Sequence, residues 1–244
     1  MIGAGVRGAI VFGGFYKCEF WVGDAPGRSV MYVDGGQMIG GNTAFAHYGA
    51  YREVDGEIIA EITSQKHTDH PDYPSLLGAD LATIDVVGRA HEDGLFRFAG
   101  TSPQMPGAPF RSVMTPLRDE TGPAGAVGQG GIVNGLYSVH IKMLDGVQGG
   151  LTGIMLLYDG RILGGDAFFF YLGSYSSANG RWKGEILNQE HTPARGANPI
   201  FGGHDVGIGF SGRCDAGSAS LEATALAGKR SLRLSADLKL MRPA

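Results

Sequence analysis

Met155–Thr192, MLLYDGRILGGDAFFFYLGSYSSANGRWKGEILNQEHT, decides the fold, because the chain contains it twice. Moved back by 124 positions, so that Gly165 falls on Gly41, it lands on Met31–Thr68. Thirteen of the 38 aligned positions are identical, among them Gly40, Gly41, Gly49, Tyr51, Glu61, Ile62, His67 and Thr68. That is more than a Gly-rich composition gives by chance, and a self-match of this kind marks an internal duplication. A chain of 244 residues then divides into two modules rather than one large domain.

Working outward, each copy reads as strands. Gly14–Trp21 alternates with Tyr16, Cys18 and Phe20 on one face, and Gly135–Lys142 repeats this with Tyr137, Val139 and Ile141. Period two marks a half-buried strand. Asp34-Gly35-Gly36, Asp55-Gly56, Asp159-Gly160 and Asn179-Gly180 fall between apolar runs, where two consecutive residues with positive φ make a tight hairpin. The double glycines Gly40-Gly41 and Gly164-Gly165 predict a bulge or sharp bend of the kind a barrel corner needs. Three more alternating runs follow in each module; in the second they are 206–212, 218–225 and 231–240. No stretch holds a helical period, although the loop around Pro74–Leu77 has room for one short helix. About eight short antiparallel strands in some 110 residues predict a closed barrel ahead of a two-sheet sandwich. The expectation is an all-β chain of two tandem eight-stranded antiparallel lipocalin-like barrels forming a pseudo-dimer. Barrel module 1 spans 12–118 and module 2 spans 132–242, with the Gly- and Pro-rich segment 119–131 as a flexible linker.

Composition bounds the chemistry. Residues 1–121 hold 9 Lys/Arg against 15 Asp/Glu, and residues 122–244 hold 11 against 9, so neither half carries the basic stripe that neutralises a phosphate backbone, and nucleic acid is not expected as a partner. Cys18 and Cys214 stand at non-equivalent places and read as buried free thiols rather than a disulfide framework. The run Ala9–Phe12 is too short for a signal-peptide core or a membrane span, which points to a cytoplasmic protein without membrane contact.

One family resemblance follows from Asn134-Gly135-Leu136-Tyr137-Ser138-Val139, then Asp159–Asp166 (DGRILGGD), then Tyr171-Leu172-Gly173. This pattern resembles the GrlR-type negative regulators of type III secretion, over most of module two and more weakly over module one. The resemblance implies a lipocalin-like barrel that pairs into dimers, encloses an apolar cavity and acts without catalysis by binding a transcriptional activator. It further implies an acidic docking loop after the Tyr-x-Gly strand. Module one has Glu53-Val54-Asp55-Gly56-Glu57 there, whereas module two has Ser176–Arg181 with no acid. Glu53, Asp55 and Glu57 are therefore the candidate partner-binding residues.

Other constellations are weaker. His67, Asp69, His70 and Asp72, with His191, His204 and Asp205 in the twin region, lack fixed ligand spacing, and only His67/His191 recurs; capping of backbone groups is the simpler reading. No metal or cofactor is expected. There is no nucleophile elbow, P-loop or Cys/His signature. Glu61 and Glu185 recur and read as facing water. Phe168 and Phe170 alternate with Phe169 and Tyr171, so both faces of that strand are apolar. One face must pack inside the barrel and the other needs a second cover, which a barrel–barrel interface supplies. Phe168, Phe170 and Phe45 are the candidate interface residues. The leading expectation is a non-enzymatic regulatory protein acting as a monomer on a protein partner. The alternative is a carrier of a small hydrophobic ligand in the barrel cavity.

Overall fold

A computed structural model describes residues 11–118, 122–144, 150–194 and 205–243. The first half runs through β1 (Gly14–Val22), β2 (Ala25–Asp34), β3 (Gln37–Gly41), β4 (Phe45–Val54), β5 (Glu57–Lys66), β6 (Leu81–Ala90), β7 (Phe96–Thr101) and β8 (Phe110–Pro116). Each pairs with the next, and β8 returns to β1 from Tyr16↔Pro116 to Val22↔Phe110, closing an antiparallel barrel. The second half repeats the course with β9 (Gly135–Met143), β10 (Gly150–Tyr158), β11 (Arg161–Gly165), β12 (Phe169–Ala178), β13 (Arg181–Glu190), β14 (Val206–Cys214), β15 (Ser218–Ala227) and β16 (Arg230–Pro243). It closes between β16 and β9, with one register shift near Leu240. Among the described residues there is no helix. The segment around Pro74–Leu77 forms turns instead, held by Tyr73 N–H on the His70 carbonyl and Gly78 N–H on the Ser75 carbonyl, with Leu77 buried.

The turn chemistry acts where the sequence places it. Asp55 and Gly56 have φ of 52° and 77°, Asp159 and Gly160 of 44° and 80°, and Asn179 and Gly180 of 52° and 71°. Two successive positive φ values make the two-residue hairpin loop that follows the natural twist of paired strands. The double glycines serve close approach. A β-carbon on Gly40 would stand 2.0 Å from the Val30 carbonyl oxygen, and one on Gly164 would stand 2.4 Å from that of Ile154.

After each double glycine the chain turns a corner on an acidic or amide side chain. Asn42 Oδ1 accepts the N–H groups of Ala44 and Phe45 at 3.0 and 2.9 Å, and its Nδ2 donates to the Arg28 carbonyl. Its twin Asp166 accepts those of Phe168 and Phe169 at 2.7 and 2.9 Å, and takes the Tyr171 hydroxyl at 3.0 Å. Burial pushes the Asp166 carboxyl above its ordinary value despite these bonds. The native state therefore holds that proton more tightly than the unfolded chain, and the stability tied to it falls as pH rises through the raised value. Asp166→Asn keeps the acceptor for both N–H groups and removes the charge. It is expected to raise the denaturant midpoint at pH 8, with the gap closing towards pH 4. A lower midpoint for the variant at pH 8 would contradict this account.

Two interiors and one seam hold the molecule. Phe12 is buried in the first core, with its ring 4.8 Å from Phe96 and 5.0 Å from Tyr51. Trp182 fills the second, 4.6 Å from Phe210, and donates its indole N–H to the Ser220 carbonyl. Between the barrels lies a third apolar cluster in which Phe15, Val30 and Ala46 meet Leu136, Ile154, Leu163 and Phe170. The seam has pseudo-two-fold symmetry: a β-carbon on Gly41 would stand 3.0 Å from Ile154 Cγ2, and one on Gly165 would stand 3.0 Å from Val30 Cγ2. Thr152 Oγ1 donates to the Thr43 carbonyl at 2.7 Å, Arg242 lies 4.8 Å over the Tyr48 ring, and Arg28 lies 5.7 Å over Phe168.

The segment expected as a flexible linker is fastened from residue 122 onward, and residues 119–121 lie outside the described residues. Gly125 N–H donates to the Gly160 carbonyl, Ser177 N–H to Ala126, Gly128 N–H to Ser177 and Gly180 N–H to Gly130. Ile132 follows, buried in the second core. Backbone pairing of this kind carries no side-chain signature, which is why composition alone reads as a tether.

Candidate functional site

The inward faces of the first barrel leave a cavity of about 450 Å³. Alternation along each strand builds its wall: Cys18 and Phe20 from β1, Met31 from β2, Met38 from β3, Ile62 from β5 and Met114 from β8. Ser29, Ser64, Ser112 and His47 interrupt this apolar wall. Ser64 stands opposite His47 in the β4–β5 ladder. The charged lining residues are Arg28, whose guanidinium leans over Phe168, and Asp72, exposed on the loop after β5.

His47 is 8% exposed, and neither ring nitrogen has a hydrogen-bond partner among the described residues. Its ring packs edge-on to Phe20 with centroids 6.0 Å apart. Burial, helped by nearby His67, pushes its pKa down to about 4, so the ring is neutral at physiological pH. Burial also pushes the Cys18 thiol up to about 12, which leaves almost no thiolate to react.

The second barrel encloses a smaller space, about 270 Å³. The duplication explains the difference residue by residue: at the place of His47 stands Tyr171, whose hydroxyl reaches Asp166 where the first barrel has Asn42. Tyr171 thus fills space and satisfies its own polar group. Asn188, twin of Ser64, keeps an unpartnered Nδ2 in this wall. Asp72, Tyr73 and Phe168 line both cavities, so one loop of the first barrel and one ring of the second border the two mouths together.

The sequence-derived candidates are distributed as follows. Phe170 lies in the seam, 6% exposed, with its ring 6.2 Å from Phe15 at a 61° interplanar angle. Phe168 sits at its rim beneath Arg28. Phe45 faces the other way, into the first cavity, and its neighbour Ala46 takes the seam position. The aligned residue explains this, since the twin of Phe45 is Phe169, which packs against the second core, and the twin of Ala46 is Phe170. Glu53 and Asp55 are exposed at the β4–β5 turn, while Glu57 pairs with Arg89. Glu61 and Glu185 are both exposed.

The repeated histidines cap the corners. His67 Nε2 meets the Asn42 carbonyl at 3.1 Å and its Nδ1 meets Thr68 Oγ1 at 2.9 Å; His191 makes the same pair with Asp166 and Thr192 at 3.4 and 3.0 Å. His70 packs on Tyr73, and His204 lies outside the described residues. No group of three or more potential metal ligands occurs among the described residues.

Fold and site together define a tandem β-barrel with a largely apolar pocket that opens at one mouth. Neither a known protein family nor a curated protein matches the chain in sequence. Among solved structures it is similar to a Bacteroides fragilis protein provisionally described as an outer membrane protein, at 10% identity over 93% of this chain and 96% of that one, with a TM-score of 0.25. It is also similar to Aeromonas veronii immune modulator A, at 10% identity over 95% of each chain, with a TM-score of 0.23. Scores this low carry no argument about activity.

Proposed function

We propose that the protein is a non-enzymatic carrier of a small, mostly apolar ligand held in the first barrel. One observation carries this reading: a cavity of about 450 Å³ with an apolar wall and a few convergent polar side chains. Small-molecule sites share that description, with volumes of roughly 300–1,000 Å³. The second barrel falls just under that range and serves mainly as the partner that completes the seam. This order reverses the two expectations drawn from sequence. Docking of a protein regulator through Glu53, Asp55 and Glu57 has thinner support, because Glu57 is matched by Arg89 and Asp55 occupies a turn position that favours Asp or Asn on backbone grounds alone.

Native mass spectrometry of the purified protein, beside its denatured mass, tests the proposal. The expected result is a monomer carrying an adduct of a few hundred daltons, or a bare monomer that binds an apolar fluorescent probe and releases it to competitors. The double variant Asn42→Asp/His47→Tyr, which copies the second barrel, is expected to lose most of this binding while keeping its β-sheet circular dichroism. A wild-type protein that binds no apolar probe would overturn the carrier reading.

A further inference from the structure

We infer that the first cavity selects an uncharged amphiphile bearing a hydroxyl group, seated with that hydroxyl on His47 and its hydrocarbon body among Met31, Met38 and Met114. The inference rests on the carrier reading and names the ligand class within it.

The argument starts from an imbalance. A neutral imidazole presents one N–H donor and one bare nitrogen acceptor. Both nitrogens of His47 are buried without a partner among the described residues, whereas His67 and His191 each have two. Buried polar groups are normally hydrogen-bonded, and one left unmet is costly. At the equivalent place in the second barrel the chain supplies its own solution, the Tyr171 hydroxyl on Asp166. In the first barrel the partner must come from whatever occupies the cavity.

The surroundings narrow its chemistry. Ser64 is across the ladder from His47, and Cys18 and Ser112 add further neutral lining. Of the charged groups among the described lining residues, Asp72 lies with Phe168 where the two cavities share their lining, and Arg28 leans over the Phe168 ring. An anionic head at His47 would therefore be desolvated beside neutral groups, which is strongly unfavourable. A hydroxyl both donates and accepts, so it satisfies either nitrogen whichever tautomer is present. An ether or ketone serves only the N–H, and a hydrocarbon serves neither. The three methionines suit a flexible body, since their unbranched side chains adapt to irregular shapes.

The test uses the full chain and four probes of matched length: 1-decanol, decyl methyl ether, n-decane and decanoate, each displacing an apolar fluorophore at pH 7.5. The expected order places decanol roughly tenfold or more tighter than decane, from the recovered hydrogen bond, with the ether between them and decanoate weaker than decanol. His47→Phe is expected to bring decane and decanol within about twofold of each other, and His47→Gln to keep part of the preference. In ¹⁵N spectra of the unmodified protein, decanol is expected to move the His47 ring signals and leave those of His191 in place. Decane binding as tightly as decanol would overturn the hydroxyl assignment and leave the carrier reading standing. Decanoate binding tightest would overturn it too, moving the head group to Arg28. Failure of all four probes to bind would remove the carrier reading and this inference with it. The wild-type comparison decides the matter even if a His47 variant does not fold.

Discussion

Acidification from pH 7 to 4 is expected to destabilise the protein, and the first barrel, which holds two of the three buried histidines, more than the second. Burial lowers the pKa of His47, His67 and His191 to about 4, against 6.5 for an exposed imidazole. Below pH 6.5 the unfolded chain takes up protons that the native chain refuses, so the stability linked to each ring is complete above 6.5 and lost as pH falls towards 4. A shift of that size corresponds to about 3 kcal/mol for a fully buried ring. The half-buried His67 and His191 contribute less, because water reaches part of each ring. The loss from His47 alone is a sizeable part of the stability of an ordinary domain, roughly 5–15 kcal/mol. Asp166 works in the opposite sense, since its raised value favours the native state on acidification, and it offsets part of the loss. Urea unfolding at pH 7.5, 6 and 5 checks the sign: the midpoint should fall at each step, and His67→Gln should flatten the slope. A midpoint unchanged between pH 7.5 and 4.5 would show that these rings are protonated without strain in the folded state.

The second large effect lies in the seam. Phe170→Ala is expected to cost about 3 kcal/mol or more, the usual penalty for emptying a buried phenylalanine site. In a chain of this length that corresponds to a fall of roughly 10 °C in Tm. The ring packs against Phe15 across the seam, so the void opens in a cluster that belongs to both barrels. Calorimetry should show one transition for the wild type and two for the variant, as the barrels lose their common core and unfold separately. A loss below about 1 kcal/mol would mean that each barrel stands without the other.

Much of this architecture is legible in the sequence because it is written locally. Asp-Gly and Asn-Gly steps need positive φ, alternation needs period two, and the 124-residue repeat is carried by identical residues at matching positions. The seam is half legible. Three consecutive aromatic residues, Phe168, Phe169 and Phe170, leave the phase of β12 open, and Phe45 inherits the ambiguity. Phase is fixed by the corner at Asp166, whose side chain binds the N–H groups of Phe168 and Phe169, and that bond has no pattern in the sequence. The polar lining of the first cavity is hidden for a different reason. An isolated histidine on a strand reads alike whether it faces water or an interior, and the signal that finds His47 is comparative: an amide–imidazole pair at 42 and 47 where the other copy has carboxylate and phenol at 166 and 171.

That last contrast has an evolutionary consequence. In an assembly of two identical subunits every substitution appears twice, so a change that opens one pocket opens both and weakens both cores together. Fusing the copies end to end removes this constraint. One half can then drift towards a specialised pocket while its sibling keeps the packing that holds the pair together.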